Sequence, residues 1–135
     1  MADLEKYVDR LLANAQIASI RLAVAGSAAK DAFLRGAADA LLAEAKVLQA
    51  ENAKDIAAAE ASGLSAAMVD RLRLTDARIQ SMADGLRTVA GLEDPVGRGL
   101  GGWKRPNGIE IRKVSVPIGV ILMIFESRPN VAADA

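Results

Sequence analysis

The stretch from Val114 to Ala135, VSVPIGVILMIFESRPNVAADA, constrains the fold more than any other part of the sequence. Its residues 120–125 are all apolar, and three of the six are β-branched. A continuous run of this kind is typical of a strand buried on both faces, and it is much shorter than the ~20 residues of a membrane span. Charge returns at Glu126, and Pro129 suits the first turn of a helix. We therefore expect a strand over 119–125 and the start of a helix within 127–135.

Polar side chains follow this predicted strand at the point where it ends. In open α/β sheets, ligands bind beyond the carboxyl ends of the strands, so Glu126, Ser127, Arg128 and Asn130 are candidate ligand contacts. The planar fork of an arginine fits a phosphate or a carboxylate, which makes Arg128 a candidate for substrate binding. The alternative for Arg128 is a solvent-exposed turn residue, and the alternative for Asn130 is a cap of the next helix.

The first 90 residues are predicted to be helical, because alanine and leucine dominate their apolar content and alanine has the highest helix propensity. Apolar residues at a spacing of three and four predict five helices with buried stripes. The charged residues Asp70, Arg71 and Arg73 are interpreted as solvated, and the alternative is that these charges beside a short helix join subunits. The predicted ranges are 3–25, 28–50 capped by Ser27, a third helix from Asn52 or Lys54 to before Gly63, 66–72 capped by Ser65, and 76–90 capped by Thr75; the stripes include Leu4, Val8, Leu11, Leu12, Phe33, Ile79, Met82 and Val89.

Residues 91–108, GLEDPVGRGLGGWKRPNG, are predicted to form a loop because glycine and proline are frequent in them. Gly97, Gly99 and Gly102 match the spacing G-x-G-x-x-G of dinucleotide-binding proteins. That motif has to follow a strand and open a helix, and here a predicted helix and a loop precede it. We therefore interpret the glycines as loop residues, with Trp103 holding the loop on the surface of the domain.

Asn107–Gly108 is a turn signal, and the residues after it alternate as a strand with one exposed face over 109–116. Pro117 has no N–H group and interrupts the pairing before the strand at 119–125. The predicted fold class is therefore α/β, with a mostly helical first part of about five helices followed by a β-strand pair within 109–126.

Composition excludes several classes of function. The chain has no cysteine and no histidine, which removes disulfides, cysteine nucleophiles, Ser-His-Asp arrangements and nearly every zinc site, so no metal is expected. Seventeen basic residues balance seventeen acidic ones, so neither a nucleic acid nor a membrane is an expected partner. Met1 is followed by Asp3, Glu5 and Lys6 rather than by a secretory signal, which favours a cytoplasmic location.

Several motifs together resemble one family. They are Val-Pro-Ile-Gly-Val-Ile at 116–121, Phe-Glu-Ser-Arg-Pro-Asn-Val at 125–131 and Ala-Asp at 133–134, with Gly-Leu-Ser at 63–65, Asp-Arg-Leu at 70–72, Arg-Ile at 78–79, Asp-Pro-Val-Gly at 94–97 and Arg-Pro-Asn-Gly at 105–108. This set resembles glutamate-5-semialdehyde dehydrogenase, also called γ-glutamyl phosphate reductase, a branch of the aldehyde dehydrogenase superfamily. The resemblance covers essentially the whole chain and matches the amino-terminal third of such an enzyme.

The resemblance implies an oxidoreductase of proline biosynthesis that reduces L-glutamyl 5-phosphate to L-glutamate 5-semialdehyde with NADPH and releases phosphate. Residues 1–135 would then be the amino-terminal portion of its NADP-binding domain, and residues 109–125 would join copies into a homo-oligomer. The family uses a cysteine thiolate, because a thiolate is both a good nucleophile and a good leaving group. This chain has none, so we expect it to be inactive when isolated.

The resemblance also implies roles for the residues after the strand. The superfamily places an asparagine there as an oxyanion-hole donor, and Asn130 is the candidate for this catalytic role. Most members have Pro-Trp-Asn at this point, whereas this chain has Glu-Ser-Arg-Pro-Asn, and a gapless alignment places Arg128 there instead. Phe125, Glu126 and Ser127 are candidates for cofactor contacts through their backbone.

The alternative hypothesis is a helical interaction or assembly module without catalysis. The alanine-rich composition alone favours it. The apolar run at 120–125 argues against it, because a free-standing helical bundle has no sheet that could provide such a strand with neighbours on both sides.

Overall fold

The computed structural model describes residues 2–125 and 128–134. These residues form six helices and one two-stranded antiparallel sheet, as the predicted α/β class requires. Two compact units can be distinguished: the first comprises Met1–Ser27 and Glu93–Leu122, and the second comprises Ala28–Leu92 and Met123–Ala135. The elements are α1 (Ala2–Ala23), α2 (Ser27–Ala43), α3 (Ala45–Ala61), α4 (Ala66–Leu72), α5 (Asp76–Val89), β1 (Gly99–Lys104), β2 (Glu110–Val114) and α6 (Val131–Asp134).

The five predicted helices before the sheet are present, but one boundary is wrong. We predicted that the second helix ends at Ala50, whereas α2 ends at Ala43 and α3 begins at Ala45. Glu44 between them donates its N–H to Ala40 at 3.0 Å and accepts from Leu48 at 3.0 Å, so the helical bonding is almost continuous. The sequence from 45 to 61 is rich in strong helix formers, and nothing in it stops a helix at residue 50.

One of the three predicted helix caps is confirmed together with its side-chain bond. Thr75 Oγ1 accepts a hydrogen bond from the Arg78 N–H at 3.2 Å and caps α5. Ser65 occupies the cap position of α4 without a side-chain bond. Ser27 is already the first residue of α2, and its hydroxyl donates to Asp94 Oδ2 at 3.2 Å. The prediction for Ser27 is wrong, because its hydroxyl bonds Asp94 instead of the helix terminus. The prediction for Ser65 is confirmed in position, since its carbonyl accepts from the N–H groups of Met68 and Val69, but its hydroxyl makes no capping bond.

The core of the second unit is built mainly from small side chains. Ile79 is its largest fully buried residue, at 1% exposure, and the alanines around it allow helices to approach closely. An ion pair of 2.7 Å between Arg87 and Asp39 ties α5 to α2. The Asp39 hydrogen bond raises the pKa of the Arg87 guanidinium, which therefore stays cationic. The other buried apolar residues described are Ala38, Ala59, Val69, Met82, Ala83 and Ala90.

Several predicted core stripes are exposed. The stripe of α5 is confirmed at Ile79 and Met82, but Val89 is half exposed. Phe33 on α2 is 72% exposed, and the stripe of α1, at Leu4, Val8, Leu11 and Leu12, is exposed as well. These predictions are wrong for the described chain, because apolar spacing identifies a face that can be buried without identifying what buries it.

Asn52 on α3 is the one buried polar side chain among the described residues, at 5% exposure. Its Nδ2 donates to the Leu72 carbonyl at 2.9 Å, and its Oδ1 accepts from the Leu74 N–H at 2.7 Å. Both partners lie where the chain passes from α4 to α5. The single amide thereby satisfies a main-chain donor and a main-chain acceptor and fixes the path of this connection.

We predict that Asn52→Leu lowers the free energy of unfolding by about 2–4 kcal/mol, because leucine has a similar size but leaves a buried N–H and a buried C=O without partners. Urea denaturation of the purified chain measures this loss. Gln49→Leu is the matched control, since Gln49 also lies on α3 and bonds Asp76 at 2.7 Å in an exposed position. The control should change stability by less than about 0.5 kcal/mol. Equal stability of Asn52→Leu and the unchanged chain would contradict the assigned role.

The sheet is a hairpin, and it corrects the loop predicted over 91–108. Residues 99–104 form β1 and pair with β2, with Trp103 opposite Ile111. Gly102 makes the pairing possible, because a Cβ there would lie 2.8 Å from the Ile111 carbonyl oxygen. Two of the motif glycines therefore lie in a strand, and the next element is β2, not a helix. Trp103 is 54% exposed on this strand, so the prediction that it holds a loop on the surface is wrong.

The turn and the second strand follow the sequence more closely. Gly108 has a φ of 87°, a conformation that favours glycine, and its N–H donates to the Arg105 carbonyl at 2.9 Å. The predicted turn at Asn107–Gly108 and the predicted strand within 109–116 are both confirmed, the latter as β2.

The predicted strand over 119–125 is not formed. Residues 115–125 have no regular structure. Within this segment, residues 116–125 make no main-chain hydrogen bond with another described residue. Their apolar side chains are exposed, with Ile118 at 87% and Ile124 at 88%. A strand of this kind requires neighbouring strands, and the described residues provide none for it. None of the helices in the described part of the chain is long and apolar enough to cross a membrane.

Candidate functional site

The predicted site residues that the structure describes lie directly before α6. This helix begins at Val131, inside the range where we expected a helix to start, and packs against α5. The Val131 N–H donates to the Arg128 carbonyl at 3.1 Å, and the Asp134 N–H donates to the Asn130 carbonyl at 3.0 Å. This turn therefore gives Arg128 and Asn130 a defined position beside α5.

The three candidate cofactor contacts are described only in part. Phe125 is half exposed, and its main chain makes no hydrogen bond with another described residue. Glu126 and Ser127 lie outside the described residues.

The side chain of Asn130 is directed to its own helix. Its Nδ2 donates to Asp134 Oδ2 at 2.7 Å, so it precedes α6 but bonds a carboxylate rather than a main-chain N–H. An amide nitrogen carries two hydrogens, and the second remains for a ligand. The bond to Asp134 orients the amide and leaves it able to donate once more.

An open cleft of about 360 Å³ in the second unit brings Arg128 and Asn130 together with residues far away in the sequence. We call it the arginine cleft. Its volume is near the lower end of the ~300–1,000 Å³ of small-molecule sites. It is lined by Arg71, Leu74, Arg78, Ser81, Arg128, Pro129 and Asn130.

The sequence analysis did not identify Arg71, Arg78 and Ser81 as site residues. Arg71 was interpreted as a solvated charge at a helix end. Arg78 and Ser81 are three positions apart, which places them on one side of the α5 amino-terminal half, and Leu74 lies just before this helix. That spacing was the available signal, but it does not reveal that α6 packs beside this face.

The three arginines of the cleft differ in their surroundings. Arg78 is neutralised: its guanidinium donates to the carbonyl groups of Asp70 and Arg73, the latter at 2.7 Å, and to Asp70 Oδ2 at 2.9 Å. Arg71 and Arg128 make no ion pair or side-chain hydrogen bond with any other residue in 2–125 and 128–134. Two uncompensated guanidinium groups therefore give the cleft a positive potential.

This arrangement can bind an anion and donate a hydrogen bond. Guanidinium groups bind phosphate and carboxylate through paired N–H donors, and the Asn130 amide can add a donor at a developing negative charge. The chain has no cysteine or histidine, so the covalent chemistry that the resemblance implies needs a nucleophile from elsewhere. The residues of the cleft thus have the chemistry to bind an anion and to stabilise a negative charge.

Comparison with curated proteins places the chain beside one enzyme. It is 53% identical over 133 residues to a γ-glutamyl phosphate reductase of Paramagnetospirillum magneticum. The matched region covers 98% of this chain and 31% of that protein. It is 56% identical over 122 residues to the protein of the same name from Rhodospirillum rubrum, with 90% and 29% covered. The chain thus spans about a third of the length of these relatives. No family model matches the chain.

Solved structures lead to the same enzyme. A γ-glutamyl phosphate reductase of Thermotoga maritima superposes with a TM-score of 0.83 at 38% identity, covering 88% of this chain and 29% of that one. One from Saccharomyces cerevisiae superposes with a TM-score of 0.87 at 34% identity, covering 93% and 32%. The resemblance that the motifs carry is confirmed, and the helical part with its strand pair has the fold of the corresponding part of these enzymes.

Proposed function

We propose that the chain forms one part of a γ-glutamyl phosphate reductase, an oxidoreductase that reduces L-glutamyl 5-phosphate to L-glutamate 5-semialdehyde with NADPH in proline biosynthesis. The observation that carries the proposal is 53% identity across 98% of the chain to a protein of that name. Identity at this level across helices, hairpin and cleft is not expected of a helical assembly module without catalysis.

The proposed reaction has two stages. A cysteine thiolate from a segment outside these 135 residues attacks the acyl carbon, the bond between that carbon and the phosphate oxygen breaks, and inorganic phosphate leaves. Hydride addition to the resulting thioester gives a tetrahedral thiohemiacetal, which expels the thiolate and yields the aldehyde. Negative charge develops on the carbonyl oxygen in both stages, so both gain from a fixed hydrogen-bond donor.

Within this reaction, Asn130 is the catalytic residue that this chain supplies. Its amide donates a hydrogen bond to the developing oxyanion, while Asp134 holds the side chain in place through the second N–H. Arg128 binds the substrate through its phosphate, which is attached to the same carbonyl carbon. Support comes from the cleft that both residues line and from the charge of Arg128, which has no ionic partner in 2–125 and 128–134.

NADPH, when bound, supplies the hydride. Phe125 fits a place beside the nicotinamide, because its side chain is half exposed and its main-chain groups are unused among the described residues. Glu126 and Ser127 complete this proposed cofactor contact through their backbone. Residues 1–135 are then the amino-terminal portion of the NADP-binding domain, and the cytoplasm is the proposed location.

We also propose that residues 109–125 join copies of the chain into a homo-oligomer. The two-stranded sheet leaves one edge of β2 without a partner strand among the described residues, and the apolar side chains that follow it are exposed. Such edges recruit further strands.

We predict that Ile121→Lys shifts the purified chain from a dimer or larger species toward the monomer, because a charge enters the apolar contact. Sedimentation velocity measures the shift. Ile20→Lys is the control, since Ile20 is comparably exposed at 66% but lies on α1, and it should leave association unchanged. A chain that is monomeric before substitution would contradict this proposal.

The function is tested with a chimera in which this chain replaces the matching segment of the P. magneticum reductase. The chimera is expressed in a bacterium that requires proline because it lacks its own reductase. Growth without proline is expected, since the segment would supply the same contacts to the nucleotide and substrate. A stable, soluble chimera that fails to support growth would contradict the proposal.

A further inference from the structure

Two arginines of the arginine cleft, which have no ionic partner among the described residues, come from different parts of the chain. Arg128 precedes α6, next to the proposed reacting group, whereas Arg71 lies near the carboxyl end of α4. Leu74 and Pro129 are half-buried and add an apolar part to the lining. A ligand that matches this lining is short, apolar in the middle and anionic at both ends.

We propose that Arg71 is a second substrate-binding residue, which holds the carboxylate at the end of the substrate remote from the reacting acyl phosphate. This inference rests on the proposed function, because that function places the phosphate at Arg128 and the carbonyl at Asn130. A substrate with an acyl phosphate at one end and a carboxylate at the other then occupies the cleft, with its methylene groups on Leu74 and Pro129.

The neighbouring Arg73 shows why Arg71 is more than a solvated charge. Arg73 lines a different cleft, whose lining also includes the carboxylates of Glu60 and Asp70. The described residues that line the arginine cleft include no carboxylate, and the Asp70 carboxylate is bonded to Arg78. Two arginines two positions apart on the chain thus line different clefts, and among the described lining residues only the cleft of Arg71 is free of carboxylates.

The proposal predicts that binding depends on the distance between the two anionic groups of the ligand. A dicarboxylate of five carbons reproduces both ends and the apolar middle, whereas inorganic phosphate reproduces only the group at Arg128. Arg71 should therefore matter for the first ligand and hardly for the second. A merely structural arginine would affect both ligands equally.

The test is a titration of the isotope-labelled 135-residue chain with glutarate and, separately, with inorganic phosphate, followed by NMR at low salt. Glutarate is expected to shift amide signals of residues 71–81 and 128–134. Arg71→Gln should raise the Kd of glutarate at least about tenfold, the loss expected of a charge-assisted hydrogen bond, and should change that of phosphate by less than about threefold. Arg71→Lys, which keeps the charge but not the fork, should fall between them.

Arg73→Gln is the matched control, because it removes the same charge two residues away, and it should leave the Kd of glutarate unchanged. Equal weakening by Arg73→Gln and Arg71→Gln would overturn the inference, as would glutarate binding that is unaffected by Arg71→Gln or absent from the cleft. These outcomes are independent of growth by the chimera. Glutarate binding can fail while the chimera functions, and it can succeed while the chimera does not.

Discussion

Replacing Asn130 by alanine in the chimera should lower turnover by about 10²–10³-fold, the loss that follows removal of an oxyanion-hole donor. The reason is that alanine has no N–H to place at the carbonyl oxygen when negative charge develops there. The measurement is the phosphate-dependent reduction of NADP⁺ by glutamate semialdehyde at saturating substrate, which runs the reaction in reverse.

Asn107→Ala is the control for this prediction. Asn107 is also an exposed asparagine, but its Oδ1 accepts from the Ile109 N–H at 3.2 Å in the hairpin turn. It should leave turnover unchanged. If Asn130→Ala and Arg128→Ala both retain full turnover, neither residue acts on the reacting group, and the bond to Asp134 remains the role of the Asn130 side chain.

The isolated chain should show no reductase activity with glutamyl phosphate and no oxidation of glutamate semialdehyde. The thiolate is the nucleophile and the leaving group of the proposed reaction, and no other residue of this chain replaces it, since histidine is absent as well. The assay follows NADPH absorbance with the purified chain, and the chimera serves as the positive control. A change in absorbance above that of buffer would show that the proposed chemistry is wrong.

The sequence predicted the helical part of the fold well because the signals there are local. Thr75 was identified as a cap, and the structure shows its hydroxyl bonded to the Arg78 N–H. The buried positions Ile79 and Met82 followed from helical spacing alone. Propensity and capping act over a few residues, so a single sequence contains most of the information that they need.

The hairpin was predicted only in part, because pairing depends on residues that are distant in the chain. The glycine-rich stretch before Trp103 has no strand propensity, and β1 forms because Gly102 lets the backbone approach Ile111. The opposite error occurred at 119–125, where strong β propensity produced no strand. In both places the presence or absence of a partner strand decided the outcome.

The sequence predicted some of the residues of the candidate site but not all of them. Arg128 and Asn130 were selected for their place after an apolar run, and the structure assigns both to the arginine cleft. Arg71 could not be selected, because its contribution depends on how α4, α5 and the residues before α6 are arranged. Its sequence neighbours Asp70 and Arg73 gave it the appearance of an ordinary charged helix end.

The most direct test of the account is the kcat/KM of the purified chimera for glutamate semialdehyde, compared with that of the unmodified P. magneticum reductase. If this chain supplies the oxyanion donor and the phosphate-binding arginine of the same enzyme, the two values should agree within about tenfold, or ~1.4 kcal/mol of transition-state stabilisation. A folded chimera whose kcat/KM is lower by about 10³-fold or more would contradict the assignment of this chain to that reaction.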